Sequence, residues 1–216
     1  HLDEDHAGGV RYMVGSVKAG RVLVGEGITK QEKPELQRAI QRISGSGSYE
    51  VLYGDEFDVG HFHIRVVWPH RGYKAKEANN ASVELYVTYN DGQNTLTTLL
   101  TGDAERDQTK ETVDSGDVGD IDFLKVGHHG AAKSLYPETA RALKPEVAIA
   151  SAGKNNRYGH PKQEAVDILE GVGARFYCTK DYGDVTVFPG EHGPRVSVQH
   201  AKVDTDLEEE KDGGAG

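Results

Sequence analysis

The sequence predicts an α/β fold, a single layered domain in which a mixed sheet carries helices on its outside. Three observations predict it. Apolar side chains alternate with polar ones at Phe62, Ile64 and Val66 and again at Val83, Leu85 and Val87, as in half-buried antiparallel strands. Asn90-Asp91-Gly92 is a strong turn signal joining the second run to a further strand at residues 95–100, which makes a hairpin. From residue 121 the rhythm changes to short apolar strands separated by helical stretches, the order of β-α units.

Each element follows in turn. A strand is expected at residues 21–24, then a helix in which Thr29 and Glu32 have capping-box spacing and Leu36, Ala39, Ile40 and Ile43 recur at helical intervals. The Gly- and Ser-rich residues 44–48 end it. After the hairpin, strands are expected at 121–126, 147–151 and 175–179, with helices at 136–143 and 162–169 between them. Pro137 and Pro161 stand near the helix starts, where a missing N–H does least harm. Residues 184–188 and 195–199 read as closing strands. Cys178 is a strand residue, and no internal repeat is present.

At 216 residues the chain is long enough to bury one sizeable core. With 36% hydrophobic and 28% charged residues, and no apolar run near the roughly 18 residues of a membrane span, it reads as a soluble fragment without membrane contact, cytoplasmic or secreted, whose parent could be membrane-associated. It opens on His1 with no signal-peptide pattern, so it is expected to be a piece of something longer. A single cysteine excludes a disulfide framework and a multi-cysteine zinc site. The domain is expected to occupy residues 1–202, and 203–216, with six acids against Lys211, to be an acidic disordered tail. The net charge of -10 argues against coating a polyanion over the whole surface, yet residues 125–162 hold seven basic residues against two acids. That stretch also contains His128, His129 and His160.

The chemistry is concentrated in three segments. His1-Leu2-Asp3-Glu4-Asp5-His6 packs two imidazoles and three carboxylates into six residues, and positions 1, 3, 5 and 6 can converge if the backbone turns after Asp3. Such nitrogen and oxygen donors suit divalent metals. Leu99-Leu100-Thr101-Gly102-Asp103 places a carboxylate just past an apolar strand, and Lys125-Val126-Gly127-His128-His129-Gly130 places paired imidazoles in the same way. Strand carboxyl ends are where layered α/β folds put ligand groups. His61 and His63 read as half-exposed sheet residues, and His70, His192 and His200 as surface.

His1-x-Asp3-x-Asp5-His6-x-Gly-Gly resembles the His-x-His-x-Asp-His signature of the metallo-β-lactamase superfamily, in the variant with Asp at the third position. Together with Asn79-Asn80-Ala81-Ser82, Leu-Leu-Thr-Gly-Asp103-Ala-Glu, Lys-Val-Gly-His128-His129-Gly and Asn155-Asn156-Arg157-Tyr158-Gly159-His160-Pro161, it is similar to the hydrolase domain of ComEC competence proteins over about residues 1–190. The resemblance implies an αββα sandwich binding two divalent ions, Zn²⁺ or Mn²⁺. His1 and Asp3 would hold the first ion, while Asp5, His6 and one of the His128/His129 pair would hold the second. Asp103 would bridge them. His128 matches the family's Gly-His better, which leaves His129 nearer substrate. A further histidine of many relatives corresponds to the Asn79/Asn80 pair, and Asp3 with Asn80 makes the first site richer in oxygen, favouring Mn²⁺ or Mg²⁺ without excluding zinc. The family's leading sheet is absent, so the sandwich is expected to be incomplete at its N-terminus, with an apolar sheet face awaiting a preceding segment or a second chain.

The mechanism so implied is hydrolysis by a metal-activated hydroxide that Asp5 orients, with His129 or His160 donating to the leaving side. The basic stretch favours DNA or another phosphodiester as substrate. Asn80, Lys133, Asn156, Arg157 and Tyr158 are the residues expected to hold it. Two other readings fit the same sequence. One is a metal-dependent hydrolase of a small ester, lactone or nucleotide, and the other is a non-catalytic binding domain that keeps the fold.

Overall fold

The computed structural model describes residues 1–26 and 33–200. The chain begins with one turn of helix, α1 (Glu4–Ala7), and a 3₁₀ stretch (Gly8–Met13). Next come β1 (Val22–Gly25), α2 (Pro34–Ser44) and β2 (Ser48–Val51), with β1 and β2 forming a small parallel sheet. Pro34 sits at the first position of α2 and a left-handed Gly45 (φ 74°) closes it, while Ala39, Ile40 and Ile43 bury its apolar stripe. The expected capping-box residues Thr29 and Glu32 lie outside the described residues, as does the acidic tail.

Then follow β3 (Glu56–Val59), β4 (Phe62–Trp68), β5 (Glu84–Asn90), β6 (Thr95–Leu100), α3 (Arg106–Asp114), β7 (Phe123–Lys125), α4 (Pro137–Leu143), β8 (Val147–Ala150), α5 (Gln163–Glu170), β9 (Arg175–Cys178) and α6 (Thr179–Tyr182). Strands β3 to β9 form one seven-stranded sheet in sequence order, antiparallel through β6 and parallel from β6 to β9. The chain closes with β10 (Val185–Phe188) and β11 (Arg195–Val198), a separate hairpin.

Register sorts the side chains of the large sheet into two faces. Tyr86, Leu99, Leu124, Ala148 and Phe176 are successive partners on one face. This face packs with Ala140 and Leu143 of α4 and Leu169 of α5 into the main core. The opposite face carries Ile64, Val66, Leu85, Val87, Leu100, Phe123 and Ile149. Of these, only Val66 and Ile149 are fully buried and the rest are half-buried. A helical layer thus covers one face of a large mixed sheet.

Several elements differ from expectation for physical reasons. Helix α3 carries Arg-Asp-Gln-Thr-Lys-Glu-Thr-Val-Asp, and its buried residues are Thr109 and Thr112, so no apolar period marks it in the sequence. Strands β2 and β3 each present a single buried or half-buried apolar side chain to the interior and show little alternation. His70, partly exposed at the surface, also packs its ring against Tyr53 (4.3 Å between centroids, tilted 35°) and meets Trp68 edge-on (5.3 Å).

Candidate metal centre

The backbone turns after Asp3, whose carbonyl accepts hydrogen bonds from the N–H groups of His6 and Ala7 (3.0 and 2.8 Å). This turn brings His1 and His6 to 4.2 Å between ring centroids. Asp103 arrives from the carboxyl end of β6. Its Oδ1 lies 3.1 Å from His6 Nε2, and its Oδ2 lies 3.5 Å from His129 Nε2 and 3.7 Å from His1 Nε2. Asp5 Oδ2 stands 3.2 Å from His129 Nε2, and Asp3 Oδ2 stands 3.8 Å from His1 Nε2. One potential ligand atom from each of Asp5, His6, Asp103 and His129 falls within 4.8 Å of all the others.

The structure brings His129, rather than His128, into this group. Both histidines occupy left-handed backbone (φ 46° and 57°), a conformation costing on the order of 1 kcal/mol or more for a residue with a Cβ. The strained turn separates their rings, which are 6.3 Å apart and inclined at 70°. His129 therefore points to Asp5 and Asp103, while His128 lies 3.4 Å from Asn79 Nδ2 and 5.8 Å from the His160 ring. Gly127 admits the close approach, since a Cβ there would stand 2.8 Å from the Ala104 carbonyl.

The donor set fits divalent metal. Ser151 O accepts a hydrogen bond from His129 Nδ1 at 2.8 Å, which keeps a proton on Nδ1 and turns Nε2 toward the carboxylates, where it donates to them when protonated and can ligate a cation when not. His1 Nε2 is buried with no hydrogen-bond partner, an expensive state for a lone pair unless a cation satisfies it. Burial alone would raise the Asp103 carboxyl, but hydrogen bonds from His129 and His6 overcome it and hold the group well below the usual carboxylate range. Asp103 in turn raises His129.

Two contributors were missed in the sequence. Ser82 is buried, its Oγ accepts from the Asp103 N–H (2.9 Å), and it lies 3.1 Å from His1 Nδ1. A proton on Nδ1 shared with Ser82 would free His1 Nε2 as a ligand. Ser82 sits in the Asn-Asn-Ala-Ser motif, but nothing in the spacing singled out a serine. Lys125 is half-buried at the end of β7, its ammonium donating to Val126 O (3.2 Å). Burial lowers its pKa against the pull of Asp103.

The expected substrate residues divide. A cavity of about 570 Å³ opens beside the metal group, lined by Asp5 and His129 on one side and by Arg157, Tyr158 and His160 on the other. Asn156 also lines it but has a structural task, exchanging hydrogen bonds with the His160 backbone N–H (2.7 Å) and carbonyl (2.9 Å). Asn80 is turned away, its Oδ1 accepting from Glu105 N–H and its carbonyl from Trp68 Nε1. Lys133 is exposed and outside the lining. Among the described residues only Arg157 of the seven basic side chains lines the cavity, and Lys162 spends its ammonium on the Tyr158 carbonyl (2.6 Å).

Over 185 residues the chain is 31% identical to ComE operon protein 3 of Bacillus subtilis, covering 86% of the chain and 23% of that protein. Over 141 residues it is 30% identical to Recombination protein 2 of Haemophilus influenzae, covering 65% of the chain and 17% of the relative. The chain thus spans about a fifth of the length of the curated relatives it matches. Among solved structures it superposes on CmlA, a diiron β-hydroxylase from Streptomyces venezuelae, with a TM-score of 0.50 at 18% identity, over 77% of this chain and 39% of that one. No family model matches.

Proposed function

We propose, from the premise that this chain is a ComEC-like domain of metallo-β-lactamase fold, that it is a dinuclear metal-dependent phosphodiesterase acting on DNA. The observation that carries the reading is the convergence of Asp5, His6, Asp103 and His129 beside a cavity bordered by Arg157. His6, His129 and Asp5 would hold one ion, His1 and Asp3 the other, and Asp103, close to His1, His6 and His129, would serve both. Zn²⁺ and Mn²⁺ both suit this mixture of imidazole and carboxylate. Bound there, the ions would supply Lewis acidity and a water of lowered pKa.

The chain's own side chains supply the rest. Asp5, exposed and adjacent to His129, would orient the attacking water. His160, which lines the cavity beside His129, could donate an imidazole N–H to a phosphate oxygen or to the departing group. Arg157 gives the cavity rim a fixed positive charge suited to phosphate. A relative named for recombination supports a nucleic-acid substrate.

The test is to load the chain with Mn²⁺ or Zn²⁺ and assay single- and double-stranded DNA, a phosphodiester model compound and a lactone. DNA cleavage that Asp5→Asn and Asp103→Asn each abolish, with unchanged circular dichroism, is the expected result. The apolar wall at Ala152 and Gly153 favours the small-ester reading as the second choice. Lactone turnover with no phosphodiester cleavage would establish that reading in its place. Stoichiometric metal with no turnover of any substrate would leave a binding domain.

A further inference from the structure

The cavity beside the metal group has a feature that phosphate chemistry does not use. The rings of His129, His160 and Tyr158 follow one another nearly parallel, inclined at 22° and 17° with centroids 6.5 and 5.8 Å apart. The row starts at the metal group and ends at Tyr158, a residue 60% exposed. Ala152 and Gly153 also line this cavity. The outermost ring is held in place. Arg157 Nη2 donates to the Tyr158 hydroxyl (2.8 Å), Lys162 Nζ donates to the Tyr158 carbonyl, and Lys162 N–H donates to Gly130 O (2.8 Å).

The Arg157 guanidinium, 5.0 Å from the ring centroid, and the stacked His160 ring order Tyr158 yet leave it mostly exposed, so apolar ring surface remains for a planar ligand to cover. A planar ligand meeting a pre-oriented ring binds with little further ordering. We propose that this cavity seats one nucleobase of an unpaired DNA strand, stacked on Tyr158, while the adjoining phosphate lies at Asp5 and His129. The placement of the phosphate rests on the phosphodiesterase reading, whereas the seat itself rests on the ring geometry. A base within a duplex has both faces covered by its neighbours and must unstack before it can occupy such a seat. An unpaired base is free to enter, and every base has a π-face, so the seat is tolerant of sequence.

The experiment uses single-stranded oligonucleotides carrying one 2-aminopurine, titrated into the metal-free chain and read by fluorescence quenching. Parallel titrations use an oligonucleotide of abasic sugars, competing against the fluorescent one. Expected are quenching on binding, roughly 5- to 100-fold weaker binding for Tyr158→Ala, near-native binding for Tyr158→Phe, and weak competition by the abasic strand. Tyr158 is exposed, so the alanine variant should fold, and its circular dichroism checks this. Equal affinity of wild type and Tyr158→Ala, or equal competition by abasic and normal strands, would overturn the seat even if the loaded chain cleaves DNA. Tyrosine-dependent quenching in a chain that cleaves no phosphodiester with any metal would instead remove the phosphodiesterase reading and leave the seat standing.

Discussion

Glu84 begins β5 wholly buried, with Thr109 Oγ1 donating to its Oε1 at 3.3 Å and its Oε2 without a partner. Burial pushes its pKa from 4.5 to about 8. Below pH 4.5 the folded and unfolded states both hold the proton and the group contributes no pH dependence. Above it the unfolded chain releases the proton while the folded chain keeps it, so stability falls as pH rises, by ~1.4 kcal/mol per pH unit until the folded pKa is reached. Relative to acid conditions, about 2 kcal/mol is lost by pH 6 and about 4 kcal/mol by pH 8. Glu84→Gln keeps the shape and an acceptor for Thr109 but carries no titrating proton, so its stability should lack this decline. The assay is urea unfolding with chelator present, followed by the fluorescence of Trp68, the single tryptophan, which is buried and pairs with Glu84 in register. The difference between variant and wild type should widen steadily from pH 5 to pH 8. Parallel stability curves over that window would refute the assignment of a protonated Glu84 in the folded state.

Other expectations follow from single contacts. Ser82→Ala removes the hydroxyl shared by His1 and Asp103, and should weaken metal binding roughly 10- to 100-fold, measured by competition with a chromogenic chelator. Gly130→Ala places a Cβ 2.7 Å from Pro161 Cβ at a φ of 82°, and should cost about 2–3 kcal/mol in urea unfolding. Arg157→Ala should weaken DNA binding and lower the slope of log affinity against log salt by about one phosphate contact, whereas Lys133→Ala, outside the cavity, should leave site binding near wild type.

Much of the fold was legible because its strands obey simple periodicities. The hairpin of β5 and β6, the alternating strands and helices after Phe123, and the apolar stripe of α2 all followed from spacing, with ends differing by one or two residues. Helix α3 was illegible because threonines rather than aliphatic residues fill its buried face. The metal group was legible as segments, since His1 to His6, Asp103 and the paired histidines each stand at a turn or strand end. The division of labour between His128 and His129 was not, because it is set by left-handed backbone at both residues, which no local sequence rule assigns to histidine. Lys125 and Lys162 counted as charge for a polyanion, yet their ammonium groups are committed to backbone carbonyls. Net charge along a segment says nothing about which side chains remain free.

Gly130 follows the two histidines, accepts a hydrogen bond from Lys162 N–H and lies so close to Pro161 that no side chain fits between them. The histidine turn and the loop bearing Tyr158 are therefore one mechanical body. A lineage that changed what this cavity captures could exchange side chains at 157 and 158 freely, because they project from a fixed backbone. It could not lengthen or re-route that loop without also moving His129. Diversification at this site is thus channelled into substitution rather than insertion, and a designer grafting a new capture loop here would have to transplant residues 127–162 as a unit.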